Sequence, residues 1–194
     1  MRPITLLKIL LSIPIGIGLA YPFFVPGASG GILGEMQILG PTGTVAAALA
    51  FFGLVALYAR DLSTTLRLVS PKSRQADPKS VWFMLLLPYN FIEDFFIVGN
   101  IAKSLKAEAS LNPALKAFSS FGLFSGLGWC ITQVISLIPN DVGSVAGLLA
   151  LFFWIWHWVF IRRIIRALIN SHASYLRGVC RSRARRGSRV AQPR

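Results

Sequence analysis

Glu93 and Asp94 stand side by side inside an otherwise apolar stretch, Val81 to Ile101, with Asn90 one helical turn before them. Acids in such surroundings are expensive and rare. Where they occur they relay protons, hold cations or pair with a base. Asn90 is spaced to hydrogen-bond either of them. Neighbouring helical residues project about 100° apart, so the two acids do not form one metal site or an acid/base pair. The plainer alternative is that they face lipid headgroups, or pair with Lys103 or a loop arginine.

His157 is the other titratable group in an apolar stretch. Histidine is a metal or haem ligand and a proton carrier. A bis-histidine haem would need a second such residue, and His172 lies beyond the apolar run. Cys130 and Cys180 sit at different expected depths, which disfavours a disulfide. No CxxC, HExxH, CxxCH or Walker A pattern occurs. The Gly-rich run at residues 26–31 has no phosphate-loop lysine and reads as a turn. No catalytic residue, metal site or cofactor is therefore expected, and an enzyme is the weakest of the functional classes.

The elements that carry these residues follow from composition. Of 194 residues, 54% are hydrophobic and only 14% charged, where a soluble domain carries about 25% charged residues. Mean hydropathy is +0.61. Too much apolar surface is present for a soluble globule of this size to bury. The expected fold is all-α: a multi-pass helical membrane protein. A helix crosses a hydrocarbon core of ~30 Å with about 20 residues. Spans are expected at about 4–26, 43–60, 118–138 and 144–161, with a re-entrant or interfacial element over 81–106. In the first span, Lys8 is expected to snorkel to the headgroups. Residues 1–170 form the membrane domain, and 171–194 a basic, disordered cytoplasmic tail. A cleaved signal over residues 1–28 is the lesser reading, because Pro26 lies beside the cut site.

Charge supplies the orientation. Residues 26–43 hold no Lys or Arg and only Glu35, and should lie outside. Residues 60–80 carry Arg60, Arg67, Lys72, Arg74 and Lys79, and residues 102–117 carry Lys103, Lys106 and Lys116; both should lie inside. From Arg162 onward the chain holds ten arginines. Both flanks of the 81–101 segment are thus basic, which favours four crossings over five. Pro88 interrupts the helical hydrogen-bond ladder there. After it, Asn90, Glu93, Asp94, Asn100, Lys103 and Ser104 fall on one face of an amphipathic surface helix. Both termini are expected in the cytoplasm of a bacterial inner or plasma membrane.

Pairs of small residues recur four apart: Ala46 and Ala50, Gly122 and Gly126, Gly143 and Gly147. They permit close helix contact in lipid, within the chain by preference and between copies otherwise. Trp154, Trp156 and Trp158 read as an aromatic belt at the membrane interface, with a ligand cage as the alternative. The segment Trp82-Phe-Met-Leu-Leu-Leu-Pro88-Tyr-Asn90-Phe resembles the re-entrant segment of a group of bacterial four-span membrane proteins, over residues 79 to 166. That group's second proline after the asparagine is absent here. The resemblance implies topology alone.

Arg162, Arg163 and Arg166 belong at headgroup level. Arg181, Arg183, Arg185, Arg186 and Arg189 form a cluster that attracts anionic lipid at about 1 kcal/mol per base; nucleic acid is the weaker partner. The expected function is a non-enzymatic accessory or interaction protein that docks on a membrane partner or a second copy, a toxin-immunity protein being one version. The rival is a small channel or transporter with Asn90, Glu93 and Asp94 near its path.

Overall fold

The computed structural model describes residues 3–24 and 39–190, with the side chains of 22, 23, 175, 176 and 178–190 left aside. The loop at 26–38, with its Gly-rich run and Glu35, and the tail's Arg181, Arg183, Arg185, Arg186 and Arg189 side chains therefore lie outside the described residues. The described residues contain helices and turns and no strand. Three helices are long and apolar enough to cross a membrane.

The first helix, α1 (Pro3–Phe24), is the most peripheral: 6% of its most apolar window is buried, against 33% for the last helix. The second, α2 (Gly40–Leu68), starts with a proline in its first turn, where a missing N–H costs nothing. At 1.5 Å per residue its 29 residues run about 44 Å. It outlasts the expected span by a full two turns, because Arg60, Asp61 and Arg67 change who touches the helix without ending it. The chain then makes a short 3-10 helix (Ser80–Leu85), a turn through a cis Leu87–Pro88 bond, and helix α3 (Asn90–Ala109).

The two flanks of this hairpin meet. Ser70 donates to the Glu108 carboxylate through its backbone N–H at 3.1 Å and its hydroxyl at 2.6 Å. The backbone N–H of Gln75 donates to Ser104 Oγ at 2.9 Å. At the other extreme, the ring of Pro88 packs against Gly16 of α1. The segment's two flanks are thus in contact with each other, and its turn lies against α1.

A 3-10 turn (Pro113–Leu115) leads to α4 (Leu123–Ile135), and α5 (Asp141–Val190) completes the chain. The fourth apolar segment was expected to be helical over 118–138. The helix is shorter, 13 residues. Its start is set by Gly122, in the left-handed region at φ +77°, where a Cβ would also strike the Phe160 ring. The start of α5 is capped by Asn140, whose side-chain oxygen accepts from the N–H of Gly143 at 3.0 Å. Beyond its apolar part α5 runs on as one helix, past Arg162, to Val190.

α4 and α5 form a tight antiparallel hairpin. Gly122, Gly126 and Gly128 let α4 approach Phe160, His157 and Phe153 of α5. Gly143 and Gly147 of α5 are also buried, whereas Ala46 and Ala50 are exposed. The best-packed core lies at the basic end, where Leu62 and Leu66 of α2, Ile101 and Leu105 of α3, Leu115, and Ile161, Ile164 and Leu168 of α5 are all fully buried.

The expected tryptophan belt needs correction. Only Trp156 faces outward; Trp154 is buried against Tyr58, and Trp158 turns in to Asp61. The indole N–H of Trp158 has a carboxylate partner inside the bundle, which outweighs a place at the interface.

The packing predicts a contrast between two glycines. A side chain at Gly126 would overlap Val98, while Gly53 has nothing within 4 Å. Gly126→Ala should lower stability by about 1–3 kcal/mol through overpacking. Gly53→Ala should be neutral or stabilising by up to about 1 kcal/mol. Thermal unfolding in mild detergent, followed by circular dichroism, checks both.

Candidate functional site

The first turns of α3 carry three polar groups into the bundle. Glu93 points to α1, where Lys8 Nζ meets its Oε2 at 2.5 Å. The two side chains are only 13% and 8% exposed. Lys8 therefore does not snorkel: a carboxylate in apolar surroundings is a nearer and stronger partner than distant headgroups. The ammonium also lies 4.1 Å from the centre of the Phe96 ring, a cation–π contact. Ser12, buried one turn on, donates to the Lys8 carbonyl at 2.8 Å.

Asp94 points to α4 and is 1% exposed. Its Oδ2 accepts from Gln133 Nε2 at 3.1 Å, and its Oδ1 makes no hydrogen bond to the protein. Asn90 sits at the start of α3 with its side-chain oxygen buried and likewise unbonded. The three residues thus share a helix end but reach different neighbours. The face of α3 expected to meet headgroups is turned inward: Glu93, Asp94 and Ser104 are buried, and Lys103 and Lys106 stay exposed.

His157 is buried and belongs to a second arrangement. Its Nδ1 lies 2.5 Å from the Tyr58 hydroxyl of α2. Tyr58 is itself fully buried and met edge-on by Trp129, Trp154 and Trp158, with ring centres 5.6, 5.9 and 5.8 Å away. The aromatic cage is therefore occupied by the protein's own tyrosine. Its hydroxyl is satisfied by His157 in a region with few other polar groups.

At the basic end Asp61 ties α2 to α5. It accepts from Trp158 Nε1 at 2.7 Å and from Arg162 Nε at 2.9 Å. Arg162 also covers the Trp158 ring at 5.2 Å. Arg163 and Arg166 are exposed and free to meet anionic groups. Further along, Ser171 donates to the side-chain oxygen of Asn112, which also caps the 3-10 turn.

Chemically, the arrangement offers hydrogen-bond donors and acceptors, an ion pair and a lone buried carboxylate. Among the described residues no three of His, Cys, Asp and Glu come together as a metal set. Cys130 is buried and free. The sequence singled out Asn90, Glu93, Asp94 and His157. It did not pair them with Lys8, Tyr58 and Gln133, which reach Glu93, His157 and Asp94, and it left Asp61 aside. A usable signal was present for Lys8 and Gln133: each is a polar group inside an apolar run, and such groups pair with one another. No family model matches the chain, and no curated protein or solved structure matches it.

Breaking a buried ion pair by removing one member costs about 3–5 kcal/mol, whereas replacing both by apolar residues is nearly neutral. Lys8→Met alone and Glu93→Leu alone should each lower the unfolding midpoint in detergent by several degrees. The double variant should recover most of the loss, and equal additive losses would remove the pair from the account.

Proposed function

We propose that this protein is a non-enzymatic accessory protein of the bacterial inner or plasma membrane, acting by docking on a partner inside the bilayer. In this reading α1, α2, the α4 segment with its flanking turns, and the apolar part of α5 make four crossings. The 80–109 hairpin enters and leaves on the cytoplasmic side, and both termini are cytoplasmic. The contacts of Ser70 and Gln75 with Glu108 and Ser104 support a hairpin with both flanks at one level. Arg60, Arg67, Arg74, Lys103, Lys106 and Arg162 lie toward that same end, and the positive-inside rule assigns it to the cytoplasm.

The observation that carries the reading is the engagement of the polar groups by their own chain. Glu93 is matched by Lys8 and Asp94 is held by Gln133. A transported ion would have to displace a covalently tethered ammonium at Glu93. The outward surface of α2 supplies a docking face: Val45 and Leu49 are exposed beside Ala46 and Ala50, the one small-residue pair that internal packing does not use. A protein of the toxin-immunity type, covering the membrane part of a pore-forming partner, is one version.

The second reading is a small channel or transporter, and the unbonded Asp94 Oδ1 favours it. Two measurements on the full chain separate them. Isolation in mild detergent should recover one membrane protein in fixed ratio, lost when Ala46 and Ala50 are both changed to Leu. Reconstituted vesicles should show ion and proton flux no greater than empty vesicles. A flux that falls in Glu93→Gln or Asp94→Asn would replace the accessory reading with the transport one.

A further inference from the structure

All five helices converge on a cavity of about 160 Å³ at the start of α3. Leu19 of α1, Val55 of α2, Asn90 of α3, Gln133 of α4 and Trp154 of α5 each contribute to it. The walls are mostly apolar and rich in rings: Phe51, Phe91, Trp129 and Trp154. A cavity of roughly this size lined only by aliphatic and phenyl groups stays dry and takes up benzene. This one also carries the polar groups of Asn90, Gln133, Ser136 and Trp154; Gln133 donates to Asp94 and Ser136 to the Gln133 carbonyl, which leaves two buried groups without a partner. The side-chain oxygen of Asn90 is an acceptor, and Nε1 of Trp154 is a donor. Both are buried, and neither has a hydrogen-bond partner in the protein. Trp154 as a whole is 5% exposed.

No ionisable side chain lines the cavity. Gln133, on its wall, spends an amide N–H on Asp94 and so stands between the cavity and that carboxylate. Phe51 and Leu151, also on the wall, are 46% and 39% exposed, so the cavity reaches the outer surface of the helices, where lipid lies in the reading above. A hydroxyl is the smallest group that both donates and accepts, and a flat ring matches the aromatic walls.

We propose that the cavity binds a small, uncharged, bilayer-soluble molecule with a flat ring and a hydroxyl group, of the phenol type. The hydroxyl donates to the Asn90 oxygen or accepts from the Trp154 N–H, and the ring stacks among the four aromatic side chains. The site does not depend on the docking partner, so it is tested on the isolated protein.

The test compares two probes of one shape, 4-propylphenol and propylbenzene, by equilibrium dialysis against the full chain in mild detergent, with empty micelles subtracted. Saturable binding of one 4-propylphenol per chain is expected, about tenfold or more tighter than propylbenzene, because a site built for a hydroxyl rejects the analogue lacking it. Asn90→Ala and Trp154→Phe should shrink that preference to threefold or less while helix content by circular dichroism is unchanged. Ala150→Leu, which fills the cavity, should abolish binding of both probes. The proposal is overturned by an absence of saturable binding to the wild-type protein, by equal affinity for the two probes, or by a preference that survives in folded Asn90→Ala and Trp154→Phe.

Discussion

The ion pair between Lys8 and Glu93 joins the first helix to the rest of the molecule. In a medium of low dielectric each charge, once out of water, has only the other to offset its desolvation. α1 is otherwise exposed over most of its length, and α3 is the element it packs on. The pair therefore sets where α1 lies. With Lys8 held at Glu93, Gly16 comes to the height of Pro88, and the absence of a side chain there lets the proline ring pack close. The Phe96 ring and the Ser12 hydroxyl complete the surroundings of Lys8. A single pairing thus connects helix placement, the height of the hairpin and the burial of the polar end of α3.

The same constraint governs three other polar residues, which are matched across helices. Asp94 reaches Gln133, Tyr58 reaches His157, and Asp61 reaches both Trp158 and Arg162. These contacts join α3 to α4 and α2 to α5. Between them, small residues rather than polar ones permit close approach, as at Gly126 beneath Val98 and His157. The molecule is accordingly divided along its length. At the basic end, long helices and two 3-10 turns enclose an apolar core like that of a soluble protein. Away from it, large apolar side chains such as Leu10, Leu49 and Leu148 face outward, as lipid-solvated helices require.

Much of this was legible in the amino-acid order. Apolar runs bounded by charge placed α1 and the starts of α2 and α5 to within a few residues, because hydrophobic length follows from bilayer thickness, whereas the end of α2 lies eight residues beyond its apolar run. Helix ends set by backbone geometry were less so. The turn at Phe121 and Gly122, which shortens α4, depends on contact with Phe160 and His157, thirty-odd positions later in the chain. Partner choice was the least legible. Composition puts tryptophan at interfaces and lysine at headgroups, yet Trp158 and Lys8 turn inward because a carboxylate is within reach. Asn90, Glu93, Asp94 and His157 stood out as polar residues in apolar runs. The partners of Glu93, Asp94 and His157 lie 39 to 99 positions away, a separation that no local pattern encodes.

In the arrangement proposed above, residues 80–109 dip into the bilayer and return, held at depth by Lys8 and Glu93. Single cysteines at positions 70, 87 and 110 of the reconstituted protein, each carrying a fluorescent label, test it directly. Position 87 should be quenched by lipids brominated deep in the acyl chains and not by aqueous iodide. Positions 70 and 110 should be quenched by iodide from one and the same side of the vesicle. Iodide quenching at 87, or quenching of 70 and 110 from opposite sides, would contradict the account.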